Sequence, residues 1–188
     1  MEERKTIYDL LLEQRTIMLE GEINQKQASM IVAMLDYLNC KDNTRPIKMI
    51  INSPGGDIAA GLAIYDMMRR VSKLGSPVYT MCVGMAASMG AVLLSAGTKR
   101  LATENSTIMI HQALQNTHDG YNTIFEQRER LEILEKYNQK CVEILAKNSH
   151  KTVEEIEKVT YKKDVYMFAK EAKEFGLIDE VVDEETDK

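Results

Sequence analysis

Short apolar runs rich in β-branched residues alternate along this chain with longer stretches in which apolar positions recur every three or four residues. The runs at 16–19, 47–51, 78–83 and 107–110, with a late one near 178–182, predict strands. Over 24–39, Ile31, Leu35 and Leu38 fall on one face of a helix, and over 57–73 Ile58, Leu62, Tyr65 and Met68 do the same. The longest periodic segment, 121–147, places Ile124, Leu131, Leu134, Cys141 and Leu145 on a single stripe. Glu126, Arg128, Glu132, Glu135 and Lys140 lie opposite, so this helix is expected to be partly solvated. Strands separated by helices predict an α/β fold with a substantially parallel sheet, because parallel neighbours need a crossover between them.

One stretch resists this simple alternation. The 25 residues from 74 to 98 carry no charge, enough to cross a bilayer. Pro77, Gly75, Gly84 and Gly90 interrupt it, and 78–83 has strand character, so a buried strand followed by a buried helix is expected, not a membrane span. With 188 residues the chain is expected to form one domain, 1–188, with a substantial core. No repeat or low-complexity linker divides it; Lys147-Asn148-Ser149-His150 reads as a polar joint between two helices, and 183–188 as a frayed acidic tail.

A net charge of −5 argues against nucleic acid or an anionic membrane as partner. Cys40, Cys82 and Cys141 are odd in number and never form a Cys-x-x-Cys pair, which reads as reduced thiols in a cytoplasmic protein. Cys82 lies in an apolar run and is expected to be a packed thiol. The opening Met1-Glu2-Glu3-Arg4-Lys5 leads into no apolar signal segment.

The candidate chemistry centres on Gly84-Met85-Ala86-Ala87-Ser88-Met89-Gly90-Ala91, a serine among small residues that let a substrate backbone approach. Before it stands Asn52-Ser53-Pro54-Gly55-Gly56, following a strand and preceding a helix with Asp57 as its N-cap candidate. Paired glycines adopt backbone angles closed to other residues and expose N–H groups, and one such amide with another at the start of the Ser88 helix would stabilise an oxyanion. No Gly-Lys-Ser/Thr follows, so this is not a phosphate loop. His118 and His150 lie in polar segments and read as solvated, whereas His111 closes an apolar strand. No His-x-x-x-His or His-Glu-x-x-His pattern supports a metal, and no cofactor is indicated. A serine nucleophile needs a base, and the base an orienting carboxylate. Many acids follow His111, and spacing does not choose among them. The serine is outside Gly-x-Ser-x-Gly, and with Asp164 as the acid the order serine, histidine, aspartate would match none of the chymotrypsin, subtilisin or α/β-hydrolase orders.

Ile51-Asn52-Ser53-Pro54-Gly55-Gly56, the Ser88 block, Met109-Ile110-His111-Gln112 and Glu171-Ala172-Lys173-Glu174-Phe175-Gly176-Leu177-Ile178-Asp179 together resemble the proteolytic subunit of the Clp protease family, ClpP. Ile7-Tyr8-Asp9-Leu10-Leu11 and Ile17-Met18-Leu19-Glu20-Gly21-Glu22-Ile23 resemble that family's first helix and strand, so the likeness runs nearly end to end. The resemblance implies a crotonase-like α/β fold of repeated ββα units with a long handle helix. It implies a serine endopeptidase in a homo-oligomer of two stacked heptameric rings, acting on proteins and peptides delivered by an AAA+ unfoldase. By the same resemblance Ser88 is the nucleophile, His111 the base and Asp164 the acid, with Gly56 and Met89 supplying oxyanion amides.

Four departures qualify these expectations. Met85 stands where the family has glutamine. His111-Gln112-Ala113-Leu114-Gln115-Asn116 replaces a His-Gln-Pro followed by glycines at the start of the handle. The chain begins almost directly at the first helix, which implies a shortened pore-gating segment. Lys48 and Ile50 take the places of tyrosines in the unfoldase-docking pocket, which predicts weak docking by a homomeric ring. These departures carry an alternative, a structural or regulatory subunit active mainly beside a second, more typical ClpP paralogue. A third reading, an acyl-CoA enzyme of the wider superfold, leaves the serine, histidine and aspartate at peptidase positions unexplained.

Overall fold

The computed structural model describes residues 5–114 and 123–182. His118, the handle residues Gln115 and Asn116, Tyr121 at the expected start of the long helix, and the acidic tail at 183–188 lie outside the described residues. In chain order the elements are α1 (Ile7–Glu13), β1 (Thr16–Ile23), α2 (Gln25–Lys41), β2 (Ile47–Gly56), α3 (Ile58–Lys73), β3 (Val78–Ala87) and α4 (Met89–Ser95). Then follow β4 (Lys99–Thr103), β5 (Thr107–Ile110), α5 (Ile124–Ser149), α6 (Val153–Thr160), β6 (Val165–Phe168), α7 (Ala169–Phe175) and β7 (Glu180–Val182).

The sheet runs β1-β2-β3-β4-β7, all parallel, with α2 and α3 as crossovers. Each crossover starts on a side-chain cap: Asn24 accepts from the Gln27 N–H at 3.0 Å, and Asp57 from the Ala60 N–H at 2.7 Å. Along β2, Ile47, Met49 and Ile51 point inward in strict alternation and meet Ala28, Ile31, Leu35 and Leu38 of α2 and Ile64, Met68 and Val71 of α3 in one core. The inward face of α3 is rotated from the expected one: Ile58, Leu62 and Tyr65 are only partly buried, while Gly61 and Ile64 are buried. Gly61 lies on that inward face, where a methyl group would come 2.2 Å from Met89 Cγ.

The uncharged span folds as expected, as strand β3 and then α4, every residue of which is buried. Among the described residues no helix is long and apolar enough to cross a membrane. Two strands carry no periodic signal of their own. β4 opens on Lys99 and Arg100, and β6 holds exposed Tyr166 and Phe168. The long helix also differs from its stripe. Only its final third is buried, through Val142, Ile144, Leu145, Ala146 and Ser149, while Ile124, Phe125, Leu131 and Ile133 are exposed. The first half thus presents an apolar surface that the described residues leave exposed.

Arg100, 8% exposed, locks the C-terminal elements to β4. Its guanidinium pairs with Asp179 and donates to the carbonyls of Asn148 at 2.7 Å and Gly176 at 2.8 Å, while its backbone N–H donates to Asp179 at 2.8 Å.

Candidate active site

The site forms where the sheet divides. The first part of β3, Tyr79 to Cys82, pairs with β4; the last part, Met85 to Ala87, leaves β4 and pairs with β5 instead. Gly84, at φ +91°, lies at the division, where a Cβ would come 2.9 Å from the Asn52 side-chain oxygen. That same oxygen accepts from the Met85 N–H at 3.2 Å. The change of partner brings the end of β3 beside the end of β5, and so Ser88 beside His111.

Ser88 has φ 55° and ψ −121°, a conformation that a non-glycine residue holds only at a cost. Its N–H donates to the Met109 carbonyl at 2.8 Å, tying the turn to β5. The hydroxyl is thereby turned toward the imidazole, and Ser88 Oγ lies 2.7 Å from His111 Nε2. Asp164 reaches the other ring nitrogen through a second pairing. β6 is antiparallel to β5 with Ile110 opposite Val165, so the next residues in each direction, His111 and Asp164, are neighbours. Asp164 Oδ1 is 3.4 Å from His111 Nδ1; the imidazole is 12% exposed and the carboxylate 53%. All three candidate residues therefore converge at one strand end.

The glycine pair lies against the serine turn. Gly55, at φ +95°, passes so close that a Cβ would come 2.7 Å from the Ala87 carbonyl oxygen and from Ser88 Cβ, and 3.0 Å from the Met89 nitrogen. Gly56 packs on β1, where a Cβ would meet the Ile23 oxygen at 2.2 Å. Met89 opens α4, and first-turn N–H groups of a helix have no intrahelical acceptor. Ser53, a residue that motif chemistry leaves without a role of its own, fixes this loop. Fully buried, it donates to the Gly21 carbonyl at 2.6 Å and accepts from the Gly55 N–H at 3.1 Å. A serine directly ahead of Pro-Gly-Gly is the signal that marks it.

A small cavity lined by Ile58, Met89, Val92, Ile110, Cys141 and Leu145 opens as an apolar recess beside Ser88 and His111. Burial pushes the Cys141 and Cys82 thiols up to about 11, which leaves neither a thiolate at neutral pH. His150 lies apart in function: it caps α5 in the left-handed region at φ 58° and is exposed. Lys48 and Ile50 sit on β2, and Lys48 faces a groove shared with Arg45, Tyr79, Met81, Lys99 and Leu101. Tyr79 is in register with Lys48 on the adjacent strand, so an aromatic ring lines this groove from β3.

A family model described as Clp protease matches residues 1–185. Two curated relatives from Prochlorococcus marinus, both named ATP-dependent Clp protease proteolytic subunit 2, are similar over nearly the whole chain. That of strain NATL2A is 45% identical over 180 residues, covering 94% of this chain and 86% of its own. That of strain MIT 9313 is 45% identical over 186 residues, covering 97% and 89%. Because the likeness takes in the dividing sheet, the serine turn and the histidine strand alike, this chain belongs to the Clp protease family and is a Clp-type protease subunit.

Proposed function

We propose that the chain is a serine-type endopeptidase with Ser88 as nucleophile, His111 as general base and Asp164 as orienting acid. The observation that carries this reading is the 2.7 Å approach of His111 Nε2 to the hydroxyl of a serine held at φ 55°. Nε2 takes the Oγ proton as Ser88 attacks a peptide carbonyl, then gives it to the departing amine, leaving an acyl-serine. A water deprotonated by the same nitrogen hydrolyses that ester and restores Ser88. For Nε2 to accept, the ring proton must sit on Nδ1, the nitrogen that faces Asp164. Their 3.4 Å separation is longer than a working hydrogen bond, and such contacts tighten when substrate binds. The Gly56 and Met89 N–H groups receive the developing oxyanion, each contributing about 2.7–4 kcal/mol at the tetrahedral stage.

As a member of its family the subunit works in ring oligomers with an AAA+ partner. Two stacked heptameric rings of a single-domain subunit, 1–188, fed with unfolded proteins and peptides, are the assembly we infer. The exposed Ile124, Phe125, Leu131 and Ile133 of α5 supply the apolar surface for contact between rings. A mixed ring with a second ClpP paralogue is the alternative. Tyr79 beside Lys48 supports docking by a homomeric ring, because it restores an aromatic wall to the groove.

Ser88→Ala tests the reading. It should abolish hydrolysis of a fluorogenic peptide and labelling by a fluorophosphonate while leaving mass in solution unchanged. Unaltered turnover in Ser88→Ala would refute the serine mechanism.

A further inference from the structure

Beyond β5 the chain leaves the sheet through His111, Gln112, Ala113 and Leu114, which lie in neither helix nor strand. On its N-terminal side His111 is pinned by β5, which pairs with both β3 and β6 and is buried from Ile108 to Ile110. On its C-terminal side one contact reaches back from α5: the Ala113 N–H donates to the side-chain oxygen of Asn138 at 2.9 Å. A backbone N–H has only a proton to give, so the amide of Asn138 is oriented by this bond. Asn138 stands one turn ahead of Cys141 and Val142, where α5 leaves solvent and enters the core. Cys141 and Leu145 on the same side of the helix line the recess beside Ser88, as Ala113 does. The anchored part of α5 therefore holds both the recess and the segment that carries the base.

We propose that Asn138 is a positioning residue for His111: it fixes the backbone two residues past the imidazole and so aims Nε2 at Ser88. The proposal rests on the Ser88–His111 reading given above. The backbone hold matters because the side chain itself is weakly restrained. Its contact to Ser88 is short, but Asp164 is half exposed, and among the described residues the buried Nδ1 has no hydrogen-bond partner. An imidazole braced on one side takes its direction from its main chain.

The groove around the Asn138 contact is lined by Gln112, Leu134, Glu135, Gln139 and Glu157 and opens to solvent. Water can therefore take over the Ala113 N–H when the amide is removed, and little stability is lost. Position is lost instead, since water places no constraint on where Ala113 sits. That difference separates a positioning role from a structural one.

The test uses the full-length assembled protein with Asn138→Leu, which keeps the size and removes the acceptor, and Asn138→Asp, which keeps an oxygen in place. Peptide hydrolysis gives kcat and KM, and fluorophosphonate labelling at Ser88 reports the nucleophile and base without a leaving amine. Asn138→Leu is expected to lower kcat and the labelling rate together by about tenfold, with KM, oligomeric mass and thermal midpoint unchanged. Asn138→Asp is expected to restore most of both rates. Unsubstituted rates in Asn138→Leu, or equal impairment of Asn138→Asp, would overturn the proposal. If Asn138→Leu does not fold, Asn138→Ala makes the same comparison with the same two readouts. Failure of the unsubstituted protein to label at Ser88 would overturn the underlying serine reading, and is seen without any change at Asn138.

Discussion

A single methyl group at Gly55 should inactivate this enzyme. In Gly55→Ala the new Cβ would lie 2.7 Å from the Ala87 oxygen and Ser88 Cβ and 3.0 Å from the Met89 nitrogen, none of which is the free end of a side chain. Non-bonded carbon atoms rest at about 3.5–4.0 Å, so the glycine loop and the serine turn must part by roughly 1 Å. Holding an L-residue at φ +95° costs about 1–2 kcal/mol, and overpacking adds about 1–3, a loss of about 2–5 kcal/mol in all. For a chain of this length that lowers the thermal midpoint by about 4–20 °C. The parting also moves the Gly56 amide relative to Ser88, and a misplacement of this size costs about 100-fold in rate. Gly21→Ala is the control. Gly21 has φ +72°, but a methyl group added there would meet nothing within 4 Å, so this variant bears the backbone strain alone and should retain activity. Calorimetry and peptide hydrolysis on both variants decide the matter. Unsubstituted turnover and an unchanged midpoint in Gly55→Ala would refute the claim that this loop presses on the Ser88 turn.

Asp164→Asn should slow peptide hydrolysis strongly by favouring the wrong tautomer of His111, without changing oligomeric mass; normal turnover would show that another group orients the base. Alkylation with iodoacetamide near neutral pH, read by mass spectrometry, should modify exposed Cys40 well before Cys82 or Cys141, whose thiols burial raises to about 11. Asp179→Asn, measured by denaturant unfolding, should destabilise the fold by about 2 kcal/mol, because Arg100 then loses its counter-charge but keeps the Asn148 and Gly176 carbonyls. Burial alone would raise the Asp179 carboxyl, but hydrogen bonds and charge from Arg100 outweigh it and hold it below its ordinary 3.8. A lowered folded-state value means that this contribution is complete above the unfolded value and is lost as the pH falls from about 4, so the gap between the two proteins should close there.

The apolar periods were enough to locate the main strands and crossover helices, because each of those elements buries one face against the same core and so writes its own repeat. Asp57 is a cap both in the sequence and in space for a local reason: the bond it makes spans three residues. Ser88, His111 and the glycine pair were legible as candidates since the chemistry restricts residue type. Asp164 was not, except through resemblance, because nothing local distinguishes it from the other acids that follow His111. β4 and β6 escaped for a related reason. β4 begins with Lys99 and Arg100, and β6 exposes Tyr166 and Phe168, so both are strands by virtue of their partners. The stripe on α5 was real, but a helix period says which residues share a face, not how much of that face finds something to pack on.

Periodicity, caps and chemical necessity act over a few residues, and so the chain alone carried a set of elements and a set of reactive residue types. Their meeting was decided in three dimensions. β3 exchanges β4 for β5 at Gly84, which sets Ser88 next to His111 although they stand 23 positions apart in the chain. The antiparallel register of Ile110 with Val165 then sets Asp164 beside the imidazole. Strand pairing is made by backbone hydrogen bonds that every residue except proline can offer in full. The choice of partner, on which the whole site depends, therefore leaves almost no trace in the identity of the residues that make it.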